Sequence, residues 1–175
     1  MSVPDIWKKS ALIDVEASGL MKGSFPVEVG WLVDDVFGHL IIDPSKHWDT
    51  SRWDVDAEAM HGLSLQTLTM KGLHPVRVAA RLNQSFKGKK VFSDSPEADS
   101  DWLAELHRAA DVKRDYEIES VGRLLGFLGV EAHRAYEIFD TVQESMPSRG
   151  RALVGVRYLK AVVDYAILEV RGNAL

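Results

Sequence analysis

The sequence contains no cysteine and no long uninterrupted hydrophobic run. The absence of cysteine excludes disulfide bonds and thiolate metal sites, which fits a cytoplasmic protein. No segment approaches the ~18 apolar residues of a membrane span, so we expect no membrane partner. Residues 1–9 lack the apolar segment of a secretory signal, so a leader peptide is not expected.

A large excess of charge of one sign is also missing. The 175 residues carry a formal net charge of -5, so the chain as a whole lacks the basic character of an electrostatic nucleic-acid binder. A nucleic-acid partner would therefore need a local basic patch or bound metal ions. The hydrophobic content of 46% predicts one domain with a substantial core, covering residues 1–175. No internal repeat, low-complexity tract or linker interrupts it.

The order of hydrophobic patterns predicts three early strands followed by helices and a return to strand. Strands are expected at 11–20, 26–33, 38–42 and 91–94, with a short one within 111–117. Helices are expected at 55–61, 64–70, 75–86, 99–110, 120–128, 132–142 and 151–170. The first three strands have short connections and so predict an antiparallel meander. We therefore expect an α/β fold with a central mixed sheet flanked by helices.

Two carboxylates stand out in the first predicted strand, which reads Ala-Leu-Ile-Asp-Val-Glu-Ala. Residues two apart in a strand share a face, so Asp14 and Glu16 lie side by side while Ile13 and Val15 face a core. Adjacent buried carboxylates repel each other, and a hard divalent cation relieves that repulsion through oxygen ligands. The alternative is that the pair lies on a solvated sheet face, because an Asp-x-Glu triplet is frequent by chance.

Four segments in order along the chain form a pattern. The first joins Asp14 and Glu16 to Ser18-Gly19-Leu20, with Glu28 on the next strand. The second is His61-Gly62-Leu63-Ser64, and the third runs from the strand ending at Asp94 to Asp99 and Trp102-Leu103. The fourth is Arg151-Ala152-Leu153 with Val156-Arg157-Tyr158-Leu159. Together they resemble the DEDD 3′–5′ exonucleases, a ribonuclease H-like family that includes polymerase proofreading subunits and ribonuclease T.

The resemblance implies metal-dependent hydrolysis of phosphodiesters at a single-stranded DNA or RNA 3′ end. The implied cofactor is Mg²⁺ or Mn²⁺, with Asp14, Glu16 and Asp99 as catalytic and metal-binding residues. The implied substrate-binding residues are Ser18, Gly19, Leu20, Glu28 and His61. A homodimer is a further option among the partners.

Two positions depart from the histidine subclass of this family. That subclass places a histidine before the last helix and an aspartate five residues later, where this sequence has Gly150 and Gly155. Glycine neither binds a metal nor moves a proton. Either the protein is a degenerate member, or other residues such as His133 and Asp140 replace the pair, or the sequence was altered. Since aspartate has a higher helix propensity than glycine, Gly155→Asp is expected not to destabilise the helix.

Some individual assignments remain open from sequence alone. Glu28 either positions a terminal 3′-hydroxyl or is an ordinary edge-facing strand glutamate. His61 is more typical of a loop or capping histidine than of a general base, and Asp94 is an alternative third ligand. At the level of function, an active nuclease competes with a catalytically inactive nucleic-acid-binding module and with a scaffold or regulatory protein on the same fold.

Overall fold

A computed structural model describes residues 3–146 and 150–172, and its central feature is a five-stranded mixed sheet. The strands are β1 (Ser10–Ala17), β2 (Pro26–Val33), β3 (Val36–Ile41), β4 (Lys90–Ser93) and β5 (Ile118–Ser120), in the spatial order β3-β2-β1-β4-β5. β1, β2 and β3 pair antiparallel, whereas β4 pairs parallel with both β1 and β5. The predicted meander and mixed sheet are therefore confirmed.

Eight α-helices accompany the sheet in the described part of the chain. They are α1 (Val3–Lys8), α2 (Val55–His61), α3 (Leu65–Lys71), α4 (Pro75–Ser85), α5 (Pro96–Ala110), α6 (Val121–Phe127), α7 (Ala132–Ser145) and α8 (Ala152–Gly172). The sequence analysis missed α1 but found the other seven. Ser64 caps α3 as expected, because its hydroxyl accepts the Thr67 N–H. Within the described residues, no helix is both long and apolar enough to cross a membrane.

Two predicted strands differ from the structure, one in its first residue and one in its position. Asp34 and Asp35 have φ values of 50° and 60°, which suits a tight two-residue hairpin and lets β3 begin at Val36 rather than at 38. Asp111, with a φ of 50°, ends α5. The segment after it is irregular, so the last strand lies at 118–120 and the strand predicted within 111–117 is wrong.

The alternation along β1 divides the core between the two faces of the sheet. Ile13 and Val15 pack with residues of α4 and α5, among them Val78 and Leu103. Leu12 belongs to the opposite cluster, which is built mainly from α6, α7 and α8. Asp14 and Glu16 share the face of Leu12 by the strand's two-residue period, so their side chains point to the side covered by α8.

Candidate functional site

Four carboxylates line one pocket of about 410 Å³. We call it the acidic pocket, and its walls are Asp14, Val15, Glu16, Leu20, Met60, Asp94, Ser95, Ala98, Asp99, Trp102 and Gly150. Asp14 and Glu16 come from β1, and Asp94 follows β4, the parallel neighbour of β1. Asp99 lies in the first turn of α5, whose core side packs on the opposite face of the sheet. The three predicted ligands and the alternative, Asp94, therefore border the same space.

Asp99 is the most buried of these carboxylates, with 1% of its surface exposed. Its carboxylate accepts a short hydrogen bond from the Ser93 hydroxyl and also bonds to the Val15 backbone. Burial raises the pKa of Asp99 to about 7, and the negative charges of Asp94 and Glu16 add to the rise. The site therefore concentrates negative charge in a poorly solvated place.

The donor set suits a hard divalent cation, because four carboxylates and the Ser95 hydroxyl line the pocket with oxygen atoms. Across residues 3–146 and 150–172, however, no three histidine, aspartate or glutamate side chains are arranged closely enough to hold an ion. The four carboxylates line the same pocket, but in this arrangement they are too far apart to bind one ion together. Shared coordination would need side-chain movements, and like charges in the absence of a cation oppose such an approach.

Gly155 touches the first carboxylate directly. A Cβ atom built at position 155 would lie 2.5 Å from Cγ and 2.8 Å from Oδ1 of Asp14. The chain thus brings position 155 beside β1, as the sequence predicts, but Asp14 occupies the space where a side chain would begin. Helix propensity alone does not decide Gly155→Asp, because Asp14 has to move first. The expectation that this substitution is tolerated therefore stays a prediction, and it depends on how easily the Asp14 carboxylate moves aside.

Gly150 also lies where the sequence places it, at the wall of the acidic pocket. A Cβ atom there would overlap the backbone carbonyl of Met60 at the end of α2. A backbone carbonyl cannot rotate away as a side chain does, so any larger residue at 150 requires a shift of α2 or of the segment entering α8. Gly30 permits a similar close approach, since its Cβ would lie 2.6 Å from the carbonyl carbon of Ala152.

Glu28 has a full set of partners inside the chain. Its carboxylate accepts hydrogen bonds from Arg151 Nε at 2.8 Å and Nη2 at 2.7 Å, and from the Ala152 backbone N–H at 3.1 Å. β2 lies between β1 and β3, so the edge-strand interpretation of Glu28 is wrong. The contacts instead tie the start of α8 to the sheet, with the carboxylate at the positive end of the helix dipole.

The other predicted substrate-binding residues divide into one that borders the pocket and three that do not. Leu20 lines the acidic pocket and is 86% exposed. Ser18 is buried and its hydroxyl accepts the Phe25 N–H, while the backbone of Gly19 lies against the Asp54 side chain. His61 is buried beside Trp53, and its Nδ1 accepts the Leu63 N–H at 3.0 Å.

Burial lowers the pKa of His61, which makes the neutral imidazole the stable form. Its Nε2 is buried as well, and the Ala17 backbone partly opposes the lowering of the pKa. The ring does not line the acidic pocket, so the capping interpretation fits this residue better than the general-base one.

The substitutes considered for the missing pair do not enter the acidic pocket. His133 lies on α7 and is exposed, with its Nδ1 3.4 Å from Glu131. Asp140 borders a neighbouring pocket instead. Sequence reasoning did not identify Met60 as a wall of the site, because an exposed methionine on a short helix carries no distinguishing pattern. It also missed the pairing of Glu28 with Arg151, which are 123 residues apart.

No protein-family model matches the chain, and no curated protein sequence matches it. Solved structures do. The zinc-bound complex of Escherichia coli exonuclease I with single-stranded DNA superposes with a TM-score of 0.68 at 11% identity, over 94% of this chain and 41% of that one. The complex of E. coli exonuclease I with a dT13 oligonucleotide gives a TM-score of 0.66 at 11% identity, over 91% and 41%.

A third similar structure is exonuclease I from the moderately thermophilic Methylocaldum szegediense, with a TM-score of 0.60 at 15% identity, over 93% of this chain and 40% of that one. The chain thus spans about two fifths of the length of the structures it matches. At these identities the likeness shows the fold. The fold is the ribonuclease H-like α/β architecture shared with exonuclease I.

Proposed function

We propose that this chain binds the 3′ end of a single-stranded nucleic acid in the acidic pocket and acts as a metal-dependent 3′–5′ exonuclease with weakened catalysis. The observation that carries the proposal is the meeting of Asp14, Glu16 and Asp99 in one pocket, on the fold of exonuclease I. Exonuclease I is known in zinc-bound and metal-free complexes with single-stranded DNA, which supports the same ligand classes here.

In this proposal Asp14, Glu16 and Asp99 hold Mg²⁺ or Mn²⁺. A bound divalent ion supplies activation of a water molecule and stabilisation of the leaving oxygen of a phosphodiester. The ion also offsets the net negative charge of the protein towards a phosphate backbone. Leu20 and Met60, both largely exposed at the pocket wall, supply apolar surface for the terminal base.

We expect weak catalysis because two glycines lie at the start of α8, where a general base and a metal ligand would be needed. Gly150 and Gly155 supply no base and no ligand, and none of the described residues lining the acidic pocket is a histidine or lysine. Removal of a general base alone commonly lowers a rate by about 10²–10⁴-fold. Binding of a strand end needs neither group, so binding is expected to persist where turnover is slow.

Two measurements test the proposal. Millimolar Mn²⁺ should raise the melting temperature of the wild type, since a ligand at 100 times its Kd stabilises the folded state by about 2.7 kcal/mol. Asp14→Asn should respond much less, whereas Asp164→Asn, an exposed carboxylate paired with Lys160 on α8, should respond like the wild type. Equal shifts of the melting temperature in all three proteins would show that the metal does not bind in this pocket.

The second measurement is release of product from a 3′-labelled oligonucleotide in Mn²⁺. We expect slow release by the wild type and none by Asp14→Asn. Binding without release identifies the inactive binding module, and neither binding nor release at low salt identifies the scaffold alternative. Fast release that survives Asp14→Asn would place the chemistry elsewhere.

A further inference from the structure

A second pocket adjoins the acidic pocket and has a different character. It has a volume of about 510 Å³ and lies between the start of α6 and the facing sides of α7 and α8. We call it the aromatic pocket, because Tyr136, Phe139 and Tyr158 line it. Asp94 borders both pockets, so the two adjoin at that residue. The aromatic pocket is therefore a neighbouring site for a strand whose end lies in the acidic pocket.

The aromatic rings of this pocket differ in their exposure to solvent. Tyr158 is buried, and its hydroxyl donates to the Phe139 backbone carbonyl at 3.3 Å, with the two ring centroids 6.5 Å apart. These two rings form a fixed wall. Tyr136 stands one turn earlier on α7 and is 74% exposed. A large aromatic side chain exposed beside a pocket offers a face on which a flat ligand stacks.

The charges of the pocket favour the base of a nucleotide over its phosphate. None of the described residues that line it is a lysine or arginine, and its charged groups are the carboxylates of Asp94 and Asp140. Two carboxylates repel a phosphate but accept hydrogen bonds from amino groups. The Ser120 hydroxyl accepts the Gly122 N–H at 3.2 Å, so the two carboxylates are the charged groups that decide what the pocket favours. The walls thus suit a neutral ring bearing a donor.

We propose that the aromatic pocket binds one nucleobase of the strand held in the acidic pocket, and that it favours bases with an exocyclic amino group over thymine and uracil. The base stacks on Tyr136 and donates from its amino group to Asp140. Carboxylates accept from the cytosine amino group in the same way elsewhere in nucleic-acid recognition. This inference rests on the proposed function, and it names the base specificity of that site.

The experiment measures binding of 5′-labelled dC12 and dT12 to the full chain by fluorescence anisotropy in Ca²⁺. Wild type should bind dC12 more tightly than dT12 by roughly five- to tenfold, the size of one carboxylate–amino contact in partial solvent exposure. Asp140→Asn should abolish the preference while keeping the affinity for dT12, because an amide both donates and accepts. Tyr136→Ala should weaken both oligonucleotides by roughly tenfold through lost stacking.

Matched controls exclude general effects of charge and of aromatic loss. Asp164→Asn removes an exposed carboxylate and Tyr165→Ala a half-exposed ring, both on α8 and outside either pocket. Both controls should bind like the wild type. Tyr136 and Asp140 are exposed, so their variants should fold, and circular dichroism checks this.

The outcomes separate this inference from the function on which it rests. If the wild type binds both oligonucleotides equally and neither Asp140→Asn nor Tyr136→Ala changes binding, the aromatic pocket holds no base and the proposed function stands. If dT12 binds more tightly than dC12, the assignment of Asp140 is overturned. If no oligonucleotide binds at low salt, both the proposed function and this inference fail.

Discussion

Glu28 and Asp99 are two almost fully buried carboxylates with opposite surroundings, their exposed fractions being 0% and 1%. Glu28 meets the Arg151 guanidinium and a helix N-terminus. Asp99 meets a hydroxyl and a backbone group and is faced by two further negative charges. A buried charge that is paired with a counter-ion inside the protein has a structural role. A buried carboxyl among like charges, at the wall of a pocket, has a raised pKa instead, and in the proposed function a divalent cation offsets its charge.

The largest expected loss of folding free energy comes from removing the counter-ion of Glu28. Arg151→Met removes the guanidinium from the buried Glu28 and leaves it the Ala152 N–H and His39, whose Nδ1 lies 3.4 Å from Oε1. Because the Arg151 side chain is 40% exposed, the loss should stay below the cost of about 3–5 kcal/mol for removing one partner of a fully buried pair. Lys160→Met, on the same helix, breaks the more exposed pair with Asp164 and should cost about 0–1 kcal/mol. Urea unfolding measures both. Equal losses would show that Glu28 does not depend on Arg151.

The next largest effect is the pH dependence of stability that Asp99 causes, measured in the presence of a chelator so that no divalent ion is bound. Its pKa in the folded state is about 7, above the ordinary 3.8, so the folded state binds more protons between these values. Stability is therefore lost as the pH rises from 4 through 7, with an upper bound of about 4 kcal/mol for a shift of three units.

Asp99→Asn removes this titration, so the variant should be more stable than the wild type at pH 8, and the difference should shrink towards pH 5. Asp101→Asn, an exposed aspartate on the same helix, should follow the wild type at every pH. Denaturant midpoints across this range provide the measurement. Parallel curves for the wild type and Asp99→Asn would contradict the environment assigned to Asp99.

The smallest effect sharpens the comparison at Asp14, the carboxylate that faces α8. Gly126→Ala on α6 meets no atom within 4 Å, so it should stabilise by about 0.5–1 kcal/mol through helix propensity. Gly155→Ala should lose that gain, because its Cβ overlaps the Asp14 carboxylate. Thermal unfolding of the two variants compares them directly. The same gain in both would show that Asp14 moves aside without cost.

Much of the fold was predictable from patterns that act locally. Short apolar runs identified β1 and β2, and the three-four repeat identified α8, because that repeat reflects the face that a helix buries. The start of β3 was misplaced where Asp34 and Asp35 adopt left-handed conformations. Left-handed aspartates are uncommon, so composition alone does not locate them. The N-terminal helix α1 is a single short segment with little periodicity to detect.

For the candidate site, the sequence by itself determined which groups are available: Asp14 and Glu16 share a strand face, and Gly150 and Gly155 carry no donor. Only the tertiary structure decided how those groups are used. It paired Glu28 with Arg151, filled the space beside Gly155 with Asp14, and set Asp94 between an acidic and an aromatic pocket. The reason is physical: side-chain periodicity is a local property of the backbone, whereas a counter-ion, an overlap or a shared wall depends on segments that only folding brings together.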